Sequence, residues 1–520
     1  MSTKTLVLSA LAGAAQAATN GHALAQVEAA LNRQLDEPHG LINTLIQTRL
    51  DEAMPKQVLS QTRHKNITET PVNSVFAQLG DHDSSNAYCS YAHDRLKSNS
   101  VDFYATNAGT FEFKDTTFPE ETAVRWDSHP SDSGDLTTQA DSIKWTESLD
   151  IRYDEATNSL WGAESAITGH STDIYQGSIG NCWFMHGASA VARVPGRIES
   201  VFYNTELSSN GIYALQIYVL GIPTTVIIDD SMPLSDSGDG IFAGRSEDGA
   251  LWGMLLEKAF AKVNGTWESI IAGDPRHSIN ALTGAPATDH SHETTNASDI
   301  WDIIKAAENA GNMISGSTAS VPGGNTERSA NGITQDHVYT ILGCVEVEGE
   351  KLIRIRNPWG REYYQGPWYD QSNLWTDSIK GQVDYVDEND GIFFIGYLAY
   401  HSEFEGTQIS YDTTNLKQAY YLVEDDNTAL RADSGASFCG SLANNCGSYR
   451  HEFKVTSSVE QTVILNTFAW PERSYPGDCT TDWSFSFEDR AHLVLYTAAD
   501  GSEPEGDNTW YYWRDHAFMP

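Results

Sequence analysis

The stretch DIYQGSIGNCWFMHGASAVARV, Asp173 to Val194, sets a lone cysteine directly after Gly180-Asn181, at the head of a run that is apolar around most of a helix's circumference. A helix apolar on nearly all sides is a buried one. Asn181 suits its N-cap, so Cys182 falls in the first turn, where the helix dipole and unpaired N–H groups favour a thiolate. Such a thiolate is a nucleophile once a histidine can exchange its proton. A single buried cysteine is otherwise just a small hydrophobe, so the reading turns on partners elsewhere in the chain.

Those partners stand in QDHVYTILGCVEVEGEKLIRIRNPWG, Gln335 to Gly360. Val338 to Gly343 and Leu352 to Arg356 read as two strands joined by a turn at Glu348-Gly349, which makes an antiparallel hairpin. Counting outward from that turn brings His337 and Asn357 nearly opposite one another at the open end. An asparagine carboxamide there can fix the tautomer of the imidazole, as the third member of a Cys–His–Asn set must. Taken singly, each is also an ordinary residue: a strand-end histidine, and an asparagine shaping a turn before Pro358.

The combination resembles the calpain-type papain-like cysteine proteases. The resemblance runs from about Phe111 to Phe404 and includes FKDTTFP (Phe113 to Pro119), SIKW ending at Trp145, DIYQGSIGNCW, TTVIIDDSMP, LWGMLLEKAFAKVNG, DHVYTILG, IRNPWG and GPWYD. It implies that Cys182 is the nucleophile, His337 the general base and acid, and Asn357 the orienting amide. Gln176, with the Cys182 backbone N–H, matches the oxyanion donor, and Trp359 the tryptophan that shields the His–Asn pair beside the substrate cleft. The implied activity is a cysteine endopeptidase acting on protein or peptide substrates through a thioester. The alternative is a secreted acyl-transferring enzyme or a non-proteolytic binding protein on the same fold.

No cofactor is required for that chemistry, but the resemblance also implies calcium sites. For the first, Asp173 and Glu257 match the carboxylates. For the second, Asp370 and Asp390 match, while Tyr363 and Ile392 replace acids and Glu362 lies one position off. The expectation is at most one calcium ion, near Asp173 and Glu257, since affinity follows ligand charge and count. A further cluster, Asp289-His290-Ser291-His292-Glu293, is a solvated Ser/Thr-rich loop rather than a metal site.

The expected fold class is α+β: a two-lobed papain-like core followed by an all-β, sandwich-like domain. Residues 1–17 read as a signal peptide and 18–100 as a helical extension or pro-segment. Residues 101–271 form the cysteine lobe, 272–404 the His/Asn lobe, and 405–520 the β domain with strands such as QTVILNTF and AHLVLYT. The signal peptide rests on Lys4, the apolar Leu6 to Ala15 and the triplet Ala15-Gln16-Ala17. The helical extension rests on Val27, Leu31, Leu35, Leu41 and Leu45, interrupted at Pro38-His39-Gly40. These segments direct the chain to the secretory pathway, as a secreted protein or one of a lysosome- or vacuole-like compartment.

Sequons at Asn66, Asn264 and Asn296 fit that route. Six cysteines are too few for a disulfide scaffold, and Cys439 with Cys446 is the best-placed bridge. With a net charge of −39 the chain repels nucleic acid and anionic membranes, and no run is long enough for a membrane span. Nothing in it sets the oligomeric state.

Overall fold

The computed structural model describes residues 98–414, with breaks at 110, 126–142, 148–157, 166–167, 220, 237, 239 and 384, together with Arg95, Leu96 and four strands of two or three residues. The chain divides into two units. In the first, Arg49–Leu50 pairs with Val455–Thr456 and Gln61–Arg63 with Gln418–Tyr420, both antiparallel. The expected signal peptide, the helices between Ala18 and Leu59, most of the C-terminal β domain and the Cys439–Cys446 bridge lie outside the described residues.

The second unit holds, in order, α1 (Val101–Asn107), β1 (Lys144–Glu147), α2 (Cys182–Ala192), β2 (Ile212–Val219), β3 (Ile222–Asp229), β4 (Ser231–Leu234), α3 (Trp252–Asn264) and α4 (Pro275–Thr283). There follow β5 (Ala287–Ser291), α5 (Ala297–Asn309), β6 (Met313–Ser317), β7 (Val338–Val347), β8 (Glu350–Arg356), β9 (Ile392–Gly396), α6 (Tyr397–Glu403) and β10 (Gly406–Ser410). Helices begin where the sequence signals a cap. Ser100, Asp274 and Asn296 each accept a backbone N–H from the first turn with their side chains, and Pro275 opens α4. Gly284, at φ 69°, ends α4 in the left-handed region that costs a glycine little.

Every residue of α2 is buried. On one side Phe184 stacks on Phe260 of α3, ring centroids 3.8 Å apart and 6° from parallel, and Trp183 meets the same ring edge-on. Gly187 lies against Ser278 of α4, where an added Cβ would come within 2.0 Å of the hydroxyl oxygen. On its other side α2 meets the six-stranded antiparallel sheet, ordered β9-β8-β7-β6-β10-β5. Alternation along the strands loads both faces of that sheet. Ile353, Ile355, Phe393 and Ile395 join Ile300, Trp301 and Ile304 of α5 in one core, while Leu352 and Phe394 join Trp368 and Trp375 in another.

The β7–β8 hairpin forms as its turn signal requires. Glu348 and Gly349 both have positive φ, 51° and 88°, the pattern of a type I′ turn. Its register shifts once, between Arg354 and Ile355, opposite Gly343. That glycine leaves room for the Glu308 carboxylate, which would sit 2.2 Å from a Cβ there.

Two lysines of α3 are buried and paired. Lys258 donates to Asp229 and to the Ser231 hydroxyl, and Lys262 Nζ lies 2.7 Å from Asp115 Oδ2 and 2.6 Å from the Ile227 carbonyl oxygen. Breaking such a pair leaves an uncompensated charge in the interior. Lys262→Met is therefore expected to destabilise the protein by about 3–5 kcal/mol in urea unfolding. Adding Asp115→Asn should recover part of that loss, and no recovery in the double variant would show the pair to be unimportant.

Candidate active site

Cys182 opens α2 as expected, but its cap does something else. Asn181 occupies the N-cap position without a side-chain capping bond. Its amide instead donates to Glu257 Oε1 at 2.6 Å, so the residue ties the start of α2 to α3. Burial pushes the Cys182 thiol up to about 11, against backbone hydrogen bonds from Val338, Trp183 and Cys182 itself. Desolvation thus outweighs the dipole here, and the resting cysteine is a neutral thiol. The bond from Val338 sets Cys182 beside the head of the β7 strand.

His337 and Asn357 meet at the open end of the hairpin, with Nε2 and Oδ1 2.9 Å apart. The orientation of the asparagine amide is fixed independently: Nδ2 donates to the Arg361 carbonyl at 3.0 Å, and Oδ1 accepts from the Trp359 N–H at 3.1 Å. Oδ1 is therefore an acceptor, and His337 Nε2 must carry the proton. The other ring nitrogen, Nδ1, is left buried with a free lone pair and no hydrogen-bond partner. The imidazole is held by Trp359, 4.5 Å away, and edge-on by Tyr339 at 4.9 Å. Burial lowers its pKa to about 4. Just before it, Asp336 adopts φ 48°, a left-handed conformation uncommon for a residue with a Cβ.

Gln176 is strapped to the same corner. Its backbone N–H donates to the Pro358 carbonyl at 2.9 Å. Its side-chain Nε2 donates to Ile179 at 2.7 Å, which leaves that nitrogen a second N–H. The strap is reinforced by Arg356, fully buried, whose guanidinium donates to the carbonyls of Thr172 and Ile174 at 3.1 and 2.7 Å. Neither this arginine nor His186 was singled out by the sequence reading. His186 lies one turn beyond Cys182, with Nδ1 3.2 Å from the Cys182 carbonyl oxygen and Nε2 2.7 Å from the Ser315 hydroxyl of β6. A lone histidine four residues after the cysteine in a wholly apolar helix was the available signal.

The residues chosen for calcium do not fit it. Asp173 Oδ2 accepts from the Trp252 indole at 2.7 Å, from the Gly162 N–H, and pairs with His170. Glu257 accepts from Asn181, the Ala243 N–H and the Trp267 indole, and burial raises its pKa to about 7. Both carboxylates are thus held by N–H donors. The second set of acids is crowded together. Burial, then the charges of Asp370 and Asp390, pushes Glu362 upward, and Asp370 is raised as well. The Asp289–Glu293 cluster is no such site: His292 bonds the His401 carbonyl and Thr407 and stacks on the His401 ring.

A family model described as calpain family cysteine protease matches residues 113–411, more than half of the chain. Among curated proteins, the calpain-type cysteine protease ADL1 of Oryza sativa subsp. japonica is 31% identical over 248 residues, 46% of this chain and 11% of that protein. The calpain-2 catalytic subunit of Homo sapiens is 26% identical over 391 residues, 72% of this chain and 52% of the relative. Calpain clp-1 of Caenorhabditis elegans is 27% identical over 311 residues, 55% of this chain and 38% of the relative. The chain spans about half, or less, of the length of these relatives. On the family match, the chain belongs to the calpain family of cysteine proteases.

Proposed function

We propose that the chain is an endopeptidase that cleaves peptide bonds through a thioester on Cys182. The observation that carries this reading is the His337–Asn357 bond, which leaves the Nδ1 lone pair as the only free proton acceptor on the imidazole. As Cys182 Sγ attacks the substrate carbonyl carbon, its proton passes to Nδ1, and Asn357 keeps the ring in that tautomer. The negative charge developing on the carbonyl oxygen is met by the Cys182 backbone N–H and the second N–H of Gln176. Nδ1–H then protonates the leaving amine, and a water molecule, deprotonated by the same nitrogen, releases the acid. Trp359 covers the pair and keeps the exchange dry. The substrates are proteins or peptides, bound extended in the cleft of a two-lobed papain-like core, with a β-sandwich following it.

The N-terminal Lys4 and the Leu6 to Ala17 segment support entry into the secretory pathway. Of the sequons, Asn264 is buried at the end of α3, with Nδ2 bonded to the Phe260 carbonyl, whereas Asn296 is exposed at the start of α5; Asn66 lies outside the described residues. Expressed through a secretory host, the protein should carry glycan at Asn296 and none at Asn264, as read by peptide mapping after enzymatic deglycosylation. Glycan at Asn264 would mean that this end of α3 is not packed as described.

Substitution separates the roles. Cys182→Ala should abolish peptidase activity without unfolding the chain. Gln176→Ala should cost about 3 kcal/mol of transition-state stabilisation, on the order of a hundredfold in kcat, with KM little changed. Full activity in Cys182→Ala would remove the mechanism.

The two buried imidazoles also set a pH dependence of stability. Burial lowers His337 to about 4 and His186 to about 3, so both stay neutral in the fold while the unfolded chain's histidines take up protons below about 6.5. Stability from this source is complete above that value and is lost as pH falls toward 4, at about 1.4 kcal/mol per pH unit for each imidazole. Urea unfolding between pH 7 and 5 should therefore fall less steeply for His186→Gln than for the parent. Equal slopes would show that His186 is not buried in its neutral form.

A further inference from the structure

Away from the active site, one group of metal-ligating side chains converges among the described residues: Glu164, His170 and Glu199, whose ligand atoms all lie within 4.8 Å of one another. His170 is built into place. Its backbone N–H donates to the Ala192 carbonyl at the end of α2, and the preceding Gly169, at φ 55°, has no space for a Cβ, which would fall 2.2 Å from that same oxygen. The imidazole is 3% exposed and packs against Trp161, ring centroids 5.7 Å apart.

Asp173 Oδ2 lies 3.1 Å from Nδ1 and is itself anchored by the Trp252 indole. A carboxylate can only accept, so Nδ1 carries the proton there and Nε2 is turned the other way. It faces Glu199 Oε1 at 3.7 Å and Glu164 Oε2 at 4.0 Å, both too long for hydrogen bonds. Glu199 Oε1 is steadied by the Gly196 N–H at 3.1 Å, while its Oε2 is buried with no hydrogen-bond partner. An imidazole nitrogen and two carboxylates thus face one another at distances beyond hydrogen bonding.

We propose that this gap is a binding site for a divalent transition metal of the zinc class, with His170 Nε2, Glu164 and Glu199 as ligands and Asp173 as the residue that orients the imidazole. A carboxylate on the far nitrogen of a ligating histidine is the usual way to fix its tautomer and raise its basicity. One nitrogen and two oxygens suit zinc, whereas calcium takes oxygen alone. Ligand atoms ~2.0–2.1 Å from a tetrahedral ion stand about 3.3–3.5 Å apart, so the present 3.7 and 4.0 Å need only small shifts. Glu164, with a side chain 49% exposed, is free to make them. Water would complete the shell. The ion would pin the 161–173 segment, which leads into Gln176 and Cys182, to the turn carrying Glu199. This site is independent of the protease reading.

The test uses the full chain carrying Cys182→Ala, so that the catalytic thiol cannot compete for metal. After chelation and dialysis, zinc is titrated calorimetrically and cobalt by its visible absorption, in parallel with the additional changes His170→Ala, Glu199→Gln and Asp173→Asn. The parent should take up one ion more than the His170→Ala and Glu199→Gln proteins, and Asp173→Asn should weaken that ion by about 10- to 100-fold. Glu199 is partly exposed, so its variant remains informative if His170→Ala does not fold. Equal zinc stoichiometry and affinity in the parent and Glu199→Gln would overturn the site. So would a His170 Nε2–H signal in nitrogen-15 NMR that zinc leaves unchanged, since a proton would then fill the gap.

Discussion

Helix α2 has no face to give to water. All eleven of its residues are buried, including the thiol, His186 and Ser189, so each must be matched by a neighbour rather than by solvent. The aromatic side packs on Phe260 of α3 and the small side on α4, while the remaining side meets β6 and β7 through His186, Ser315 and Thr340. Those contacts fix both rotation and height of the helix. Its first residue is thereby held against Val338 and next to the His337–Asn357 pair. The same burial bears on the protonation states: it raises the thiol and lowers the imidazole, which favours a neutral pair.

The second consequence of that burial is the strap between residues 172–176 and 356–360. Arg356 has no exposed surface, yet it spends its hydrogen bonds on two carbonyls of the neighbouring segment rather than on a carboxylate. Gly360 lets Tyr175 approach to 2.4 Å from where a Cβ would stand. With the Gln176 N–H on the Pro358 carbonyl, Gln176 and Asn357 are thus parts of one corner. A site assembled from segments far apart in the chain holds its geometry through these bonds, one between backbones and two from a buried guanidinium to backbone carbonyls.

Much of this was legible in the residues. An unbroken apolar run after Gly-Asn announced a buried helix, and the Glu348-Gly349 turn brought His337 to Asn357 by counting. What local pattern could not give was the choice of partner for buried polar groups. Asn181 looked like a cap, because local capping is what asparagine does at a helix start, but Glu257 in α3 claims its amide. For the same reason Glu257 and Asp173, read as calcium ligands, are occupied by indoles and amides. Hydrogen-bond partners chosen across more than seventy positions are a property of packing, and packing is not written in periodicity.

The central claim is that Cys182 alone among the cysteines is an activated thiol, made so by the free Nδ1 of His337. Its most direct test is to incubate the full chain with a peptide-like electrophile and locate the adduct by mass spectrometry, alongside a His337→Ala protein. A single adduct at Cys182, slowed strongly in the His337 variant, is the result the account predicts. Modification spread over Cys344 and other cysteines, or an unchanged rate without His337, would contradict it.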